Sequence, residues 1–291
     1  MRRSTAAWLF VAPALIVLTV FFFLPVLGAL AMSLTDFDLY ALTDINNLRF
    51  VGFRNYVRLL SEPLFWNALG NTVYFVALGV PLSIGVSLAA ALLVNSKLAR
   101  WRGLFRTVFF APVVTTLVAV AVVWRYIFHT RYGFLNYTLS LFGIEPIDWM
   151  GDPNWAMPAI VILAVWKNFG YNMIILLAAL QNIPEDLYEA ARIDGASSWQ
   201  MFRHITLPGI GPVLLLVSIL TMAGYFQLFA EPYVMTEGGP LQSTMSVLYF
   251  MYEEGFKWWS LGRASAVAFL LFIIMLTVTV LQLRLGRQRE A

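Results

Sequence analysis

Residues 189–208 read Glu-Ala-Ala-Arg-Ile-Asp-Gly-Ala-Ser-Ser-Trp-Gln-Met-Phe-Arg-His-Ile-Thr-Leu-Pro, a polar segment set between two long apolar runs. Its local signals are those of two short helices. Pro184 suits a helix start because its missing N–H would be unbonded there, and Glu185 and Asp186 favour the positive end of the helix dipole. Gly195 suits the left-handed residue that ends such a helix. Ser197 and Gln200 have capping-box spacing and open a second helix at once. Leu187, Ala190 and Ala191 recur at three- and four-residue spacing and give the first helix an apolar face of small side chains. Such a face permits close approach to a groove of another protein, with Glu189 flanking it for a charge-assisted contact. Equally, Trp199, Met201 and Phe202 can anchor an amphipathic segment at a bilayer surface. Spacing alone leaves both readings open.

Outward from this segment the chain has the composition of a membrane protein. It is 60% hydrophobic and only 12% charged, with a mean hydropathy of +0.75, unlike a soluble 291-residue domain. The stretches 8–32, 70–94, 107–128, 156–180, 209–230 and 262–283 are each long and apolar enough to cross a hydrocarbon core of roughly 30 Å. The expected fold is an all-α integral membrane domain of six transmembrane helices over residues 1–291. Basic residues orient it. With the N-terminus inside, Arg2, Arg3, Lys97, Arg100, Arg102, Arg106, Arg192, Arg203, Arg284, Arg287 and Arg289 all lie on the cytoplasmic side. Both termini and the loop 181–208 are then cytoplasmic. Arg2 and Arg3 followed by an apolar run ending in Ala29-Leu30-Ala31 also suggest a cleaved leader, but the run exceeds the usual apolar core of about 7–15 residues. The first span is therefore read as retained.

What the chain lacks narrows its energy source. There is no cysteine, and none of its three lysines, Lys97, Lys167 and Lys257, follows a glycine, so no phosphate-binding loop exists. Glu231, at the outer end of the fifth span, is the nearest acidic candidate for a proton relay. This weakens an ion-coupled secondary carrier for a small polar solute, although such a carrier could bind sodium through carbonyls and hydroxyls. His129 and His204 fall far apart and in no metal-binding pattern, so no catalytic or metal-binding residue is assigned. No nucleic-acid partner is expected.

Glu189, Ala190, Ala191, Gly195, Ile205, Leu207 and Pro208 fill without a gap the EAA pattern of bacterial ABC importer permeases, which this loop resembles. The likeness extends through Gly52-Phe53-Arg54-Asn55-Tyr56, Asn71-Thr72, Ile183-Pro184, Thr236-Glu237-Gly238-Gly239-Pro240 and Ala264-Ser265-Ala266. Within that superfamily the chain is similar to the carbohydrate group containing the maltose and glycerol-3-phosphate permeases, in a compact six-span form. The resemblance implies a type I ABC importer permease fold and a permease subunit of an ATP-driven, binding-protein-dependent importer in the bacterial inner (plasma) membrane. Its cargo would be an oligosaccharide or a related polyol or sugar phosphate. It further implies a second homologous permease, two ATP-binding cassette ATPases and an extracytoplasmic sugar-binding protein as partners. The seven loop residues would couple the permease to the ATPases. This chain would bind no cofactor itself, ATP and Mg²⁺ being used by the ATPases.

Polar residues at bilayer depth cost about 2.5–3.5 kcal/mol for a central lysine, so they usually face a cavity or a partner. Span four carries Lys167, Asn168, Tyr171 and Asn172; span five offers Ser218, Thr221 and Tyr225, with Gly224 leaving room beside them and Gln227 on an adjoining face. By resemblance to the maltose transporter, sugar contacts fall at Lys167, Asn168, Tyr171, Thr221, Gly224 and Tyr225. Other roles compete: Ser218 and Thr221 can bond a backbone carbonyl, and Lys167 can pair with an acidic residue of the second permease. Asn71 and Thr72 are expected to fix helix packing, and Gly238-Gly239-Pro240 a tight turn.

Overall fold

A computed structural model of the chain describes residues 3–96 and 101–287. Of the basic residues used for orientation, Arg2, Lys97, Arg100 and Arg289 lie outside the described residues. The described chain is helical nearly throughout. In chain order the helices used below are α1 (Arg3–Leu18), α2 (Leu24–Ser33), α3 (Arg54–Leu60), α4 (Pro63–Asn95), α5 (Arg102–Val114), α6 (Leu117–Ile127), α7 (Pro153–Gln181), α8 (Glu185–Ile193), α9 (Ser198–Met201), α10 (Gly211–Phe226), α11 (Ala230–Met235) and α12 (Leu261–Arg287). Four of the six expected spans are continuous apolar helices: Phe10–Ser33, Pro63–Asn95, Pro153–Gln181 and Leu261–Gly286.

The third is bent, a departure from the single helix expected at 107–128, and the fifth, expected at 209–230, is one helix from Gly211 to Phe226 with a bend just before it, at the edge of the loop 181–208. In the third span α5 and α6 meet at 101°. Thr115 and Thr116, both extended, form the break. Pro112 removes one N–H from the helical ladder, and the Thr115 hydroxyl donates to the Pro112 carbonyl at 2.6 Å, competing with helix continuation. In the fifth span the segment Ser198–Gly209 meets α10 at 68°. Beyond Phe226 the helix stops, Gln227–Phe229 is irregular, and the short α11 follows.

Contacts divide the chain into two compact units. The first comprises residues up to 66 together with 250–274. Here the Gly52-Phe53-Arg54-Asn55-Tyr56 run acquires a physical reason. Gly52 takes a left-handed φ of 58°, turning the chain so that the Asn55 amide donates to the Ser33 and Thr35 carbonyls at 2.8 and 2.7 Å. Tyr56 shares a 2.7 Å hydrogen bond with Ser33, so the end of α2 is clamped. Gly262 lets α12 touch the same corner: a Cβ there would lie 2.3 Å from the Thr35 oxygen.

The second unit comprises residues 67–249 and those from 275 onward. Its core joins α4, α7 and α10 through Ala91, Val94, Met173, Leu176, Leu180 and Val217, all buried. Packing is closest where α7 crosses α5, because a Cβ on Gly170 would sit 1.9 Å from the Phe109 carbonyl oxygen. Asn71 donates to the Gln242 and Met245 carbonyls at 2.9 and 3.0 Å, and buried Thr72 accepts from the Val247 N–H at 3.0 Å. This pair fixes packing, as the sequence suggests. The turn they hold has Gly238 at φ 80°.

Candidate functional site

The second unit contains a cavity of about 550 Å³ between α5, α6, α7, α10 and α11. All six residues picked from spans four and five, Lys167, Asn168, Tyr171, Thr221, Gly224 and Tyr225, line it. They reach it differently. Tyr171 is 48% exposed and presents its ring openly. Tyr225 is only 5% exposed: its ring stacks on Phe75 at 4.9 Å and lies over Gly79, where a Cβ would come within 2.6 Å. Gly224 leaves open space, since a Cβ there would meet nothing within 4 Å.

Of the polar groups, one pair is bonded to each other, while Asn168 and Lys167 bond backbone carbonyls. Buried Asn172 donates from Nδ2 to the Thr221 hydroxyl at 2.9 Å, tying α7 to α10. Asn168 donates to the Ala164 carbonyl of its own helix at 3.0 Å, leaving its oxygen for other donors. Ser218 takes the backbone alternative, donating to the Leu215 carbonyl at 2.8 Å, and does not line the cavity. Lys167 reaches across to the broken span: its Nζ donates to the Pro112 carbonyl at 3.1 Å and the Thr115 carbonyl at 2.9 Å. A helix end exposes unpaired carbonyls, and an ammonium is a favourable partner for them.

The cavity also takes in Asn172, Gln227 and Glu231, which the sequence flags as polar without assigning them contacts. Val113 and Leu117, from either side of the α5–α6 break, complete a wall that hydropathy alone does not show. The one local signal for it is Pro112 followed by Thr115-Thr116 inside an apolar run.

The second candidate element is the loop 181–208, built as its caps suggest. Pro184 is the N-cap of α8, with Glu185 and Asp186 in the first turn. Gly195 has φ 77°; its N–H bonds Arg192 at 3.1 Å and the Ala196 N–H bonds Ala191 at 2.9 Å, the paired closure of a Schellman motif. Ser197 and Gln200 make a complete capping box for α9. Glu189 and Ala190 are exposed and Ala191 partly so, as are Ile205 and Leu207 beside exposed Pro208. Leu187 and Ile193 are 51% and 86% exposed, so the apolar face of α8 is uncovered. The Tyr188 hydroxyl bonds the Thr206 hydroxyl at 2.9 Å, bracing α8 against the root of span five.

Residues 82–290 match the family of the binding-protein-dependent transport system inner membrane component. The chain belongs to this family. The permease is 41% identical over 288 residues to the lactose transport system permease protein LacF of Rhizobium radiobacter, spanning 97% of this chain and 94% of LacF. It is 38% identical over 289 residues to the trehalose/maltose transport system permease protein MalF of Thermococcus litoralis, spanning 99% and 96% of the two chains. Its fold is similar to that of a chain in the crystal structure of a bacterial alginate ABC transporter in complex with an alginate pentasaccharide-bound periplasmic protein. The TM-score is 0.83 at 22% identity, covering 99% of this permease and 96% of that chain. The permease is thus a membrane-embedded transport component with a type I ABC importer fold, and not an enzyme.

Proposed function

We propose that this permease conducts a sugar, an oligosaccharide or a related polyol or sugar phosphate, through the cavity between α7 and α10. The carrying observation is that Lys167, Asn168, Tyr171, Thr221, Gly224 and Tyr225 all face one space. A sugar offers apolar ring faces and hydroxyl edges; Tyr171 suits the first, and Asn168, Thr221 and the Lys167 ammonium suit the second. The lactose and trehalose/maltose systems among the relatives support this cargo class.

In this reading the permease pairs with a second, homologous permease. Of the two ATPases, one docks on the loop 181–208 from the cytoplasm, using the Glu189-Ala190-Ala191 face, Gly195, Ile205, Leu207 and Pro208, and the other on the matching loop of the second permease. An external sugar-binding protein delivers cargo, both termini are cytoplasmic, and the assembly sits in a bacterial inner membrane. ATP and Mg²⁺ belong to the ATPases. Their closure would bias the permease between inward- and outward-facing states, linking one binding site to another.

The test is uptake into proteoliposomes holding the whole importer, its binding protein and internal ATP. Asn168→Ala and Tyr171→Ala should each slow sugar uptake or change its sugar preference while the subunits still co-purify. Unchanged uptake of lactose, maltose and trehalose by both variants would remove these residues from the path.

A further inference from the structure

The break in span three sets α5 and α6 at different angles to α7, and both touch it, α6 through Trp124 on Trp166 with ring centroids 5.4 Å apart. On one side α5 is held to α7 at two points: the backbone contact at Gly170, and the Lys167 ammonium on the Pro112 and Thr115 carbonyls. On the other side α6 packs along α11, whose first turn carries Glu231. Lys167 and Glu231 both line the cavity, where an ammonium and a carboxylate are complementary partners. In this structure the ammonium is bonded to the carbonyl pair and not to Glu231.

A lysine at bilayer depth needs acceptors wherever it rests. Here two alternative sets exist within one cavity, the carbonyls of α5 and the carboxylate of α11. If the ammonium left, the Thr115 hydroxyl would still donate to the Pro112 carbonyl at 2.6 Å, and only the Thr115 carbonyl would lose its donor. Two discrete arrangements of one group are what a two-state element requires.

We propose that Lys167 and Glu231 form a switchable charge pair across the substrate cavity. Lys167 exchanges the Pro112 and Thr115 carbonyls for the Glu231 carboxylate when the angle between α5 and α6 changes at Thr115–Thr116 and α6, with α11 packed along it, shifts on α7. Glu231 is then a positioning residue for transport, acting through Lys167. Its place beside the cargo rests on the sugar-path reading; the movement itself does not.

The experiment uses the intact importer in proteoliposomes. The chain has no cysteine, so spin labels placed by Val118→Cys on α6 and Ile162→Cys on α7 are the only labels in this subunit. Distances are measured without nucleotide and with ATP trapped on the ATPases, and uptake of maltose and lactose is followed in parallel. The otherwise unsubstituted permease should show two distance populations that nucleotide interconverts. Glu231→Gln and Lys167→Gln should each collapse them to one, and should lower the maximal uptake rate at least tenfold with half-saturating binding-protein concentration unchanged. Glu231→Asp, which keeps the charge, should retain both populations. A single population in the unsubstituted permease, or two that persist in both Gln variants, overturns the pair. Two populations that collapse as described in an importer that takes up neither sugar uphold the pair and refute the assigned cargo.

Discussion

Asn172 Nδ2 lies 2.9 Å from Thr221 Oγ1, and this hydrogen bond joins α7 to α10, two of the helices that wall the cavity. Both side chains are buried, at 4% and 7% exposure, so water competes little for the bond. Interhelical bonds in membranes are worth about 0.6 kcal/mol on average and up to roughly 1.7. A double-mutant cycle of Asn172→Ala and Thr221→Val, read by thermal denaturation in detergent, should return a coupling in that range. Strictly additive losses would show that the bond contributes nothing.

Gly170 is where α7 meets the α5 backbone. Gly170→Ala forces a carbon to within 1.9 Å of the Phe109 oxygen, so the helices must part. Overpacking of this kind costs about 1–3 kcal/mol. The variant should melt earlier and lose transport, whereas Gly224→Ala, entering open space, should melt like the unsubstituted protein.

The loop makes a separate prediction. Gly195 sits at φ 77°, where a side chain costs roughly 1–2 kcal/mol. Gly195→Val should misalign α8 and α9 and abolish co-purification of the ATPases while the chain still inserts. Ser197→Ala removes only half a capping box, worth about 0.5–2 kcal/mol, and should weaken that association to a lesser degree.

Tyr188→Phe deletes the hydroxyl that holds α8 to Thr206 and little else. ATP hydrolysis stimulated by the binding protein should persist while sugar moved per ATP falls severalfold. Comparing hydrolysis and uptake in the same vesicles decides it.

In the first unit, burial pushes the Glu254 carboxyl above the usual value; the Arg263 guanidinium at 3.4 Å opposes this, while Glu62 and Glu253 add to it. A carboxyl raised on folding favours the folded state while protonated. That contribution is complete below the ordinary carboxyl range and is lost as pH rises through the folded value. Glu254→Gln, which mimics the protonated form, should therefore raise the melting temperature at pH 8 and not at pH 4.

Much of this architecture is written locally. Ser197, Gln200 and Gly195 each specify a backbone state by their own chemistry, so the loop is legible to the residue. The long spans follow from apolar length; polar groups at depth single out α7 and α10, but Ser218 is among them and does not line the cavity, and the six contact positions come with the resemblance. The bend of span three was not legible from hydropathy, because Val113, Leu117 and their neighbours are equally apolar on both sides of it. The partner of Lys167 was hidden for a related reason. Backbone carbonyls exist at every position, and only the bend decides which are free to accept.

The corner between the segment Ser198–Gly209 and α10 turns on Ile210, which is wholly buried. The chain changes direction there by 68° between the loop and the helix that lines the cavity. Thr206, which holds α8, and Thr221, which holds α7, stand on opposite sides of that corner, so one bent segment carries both the brace of the loop and the wall of the cavity.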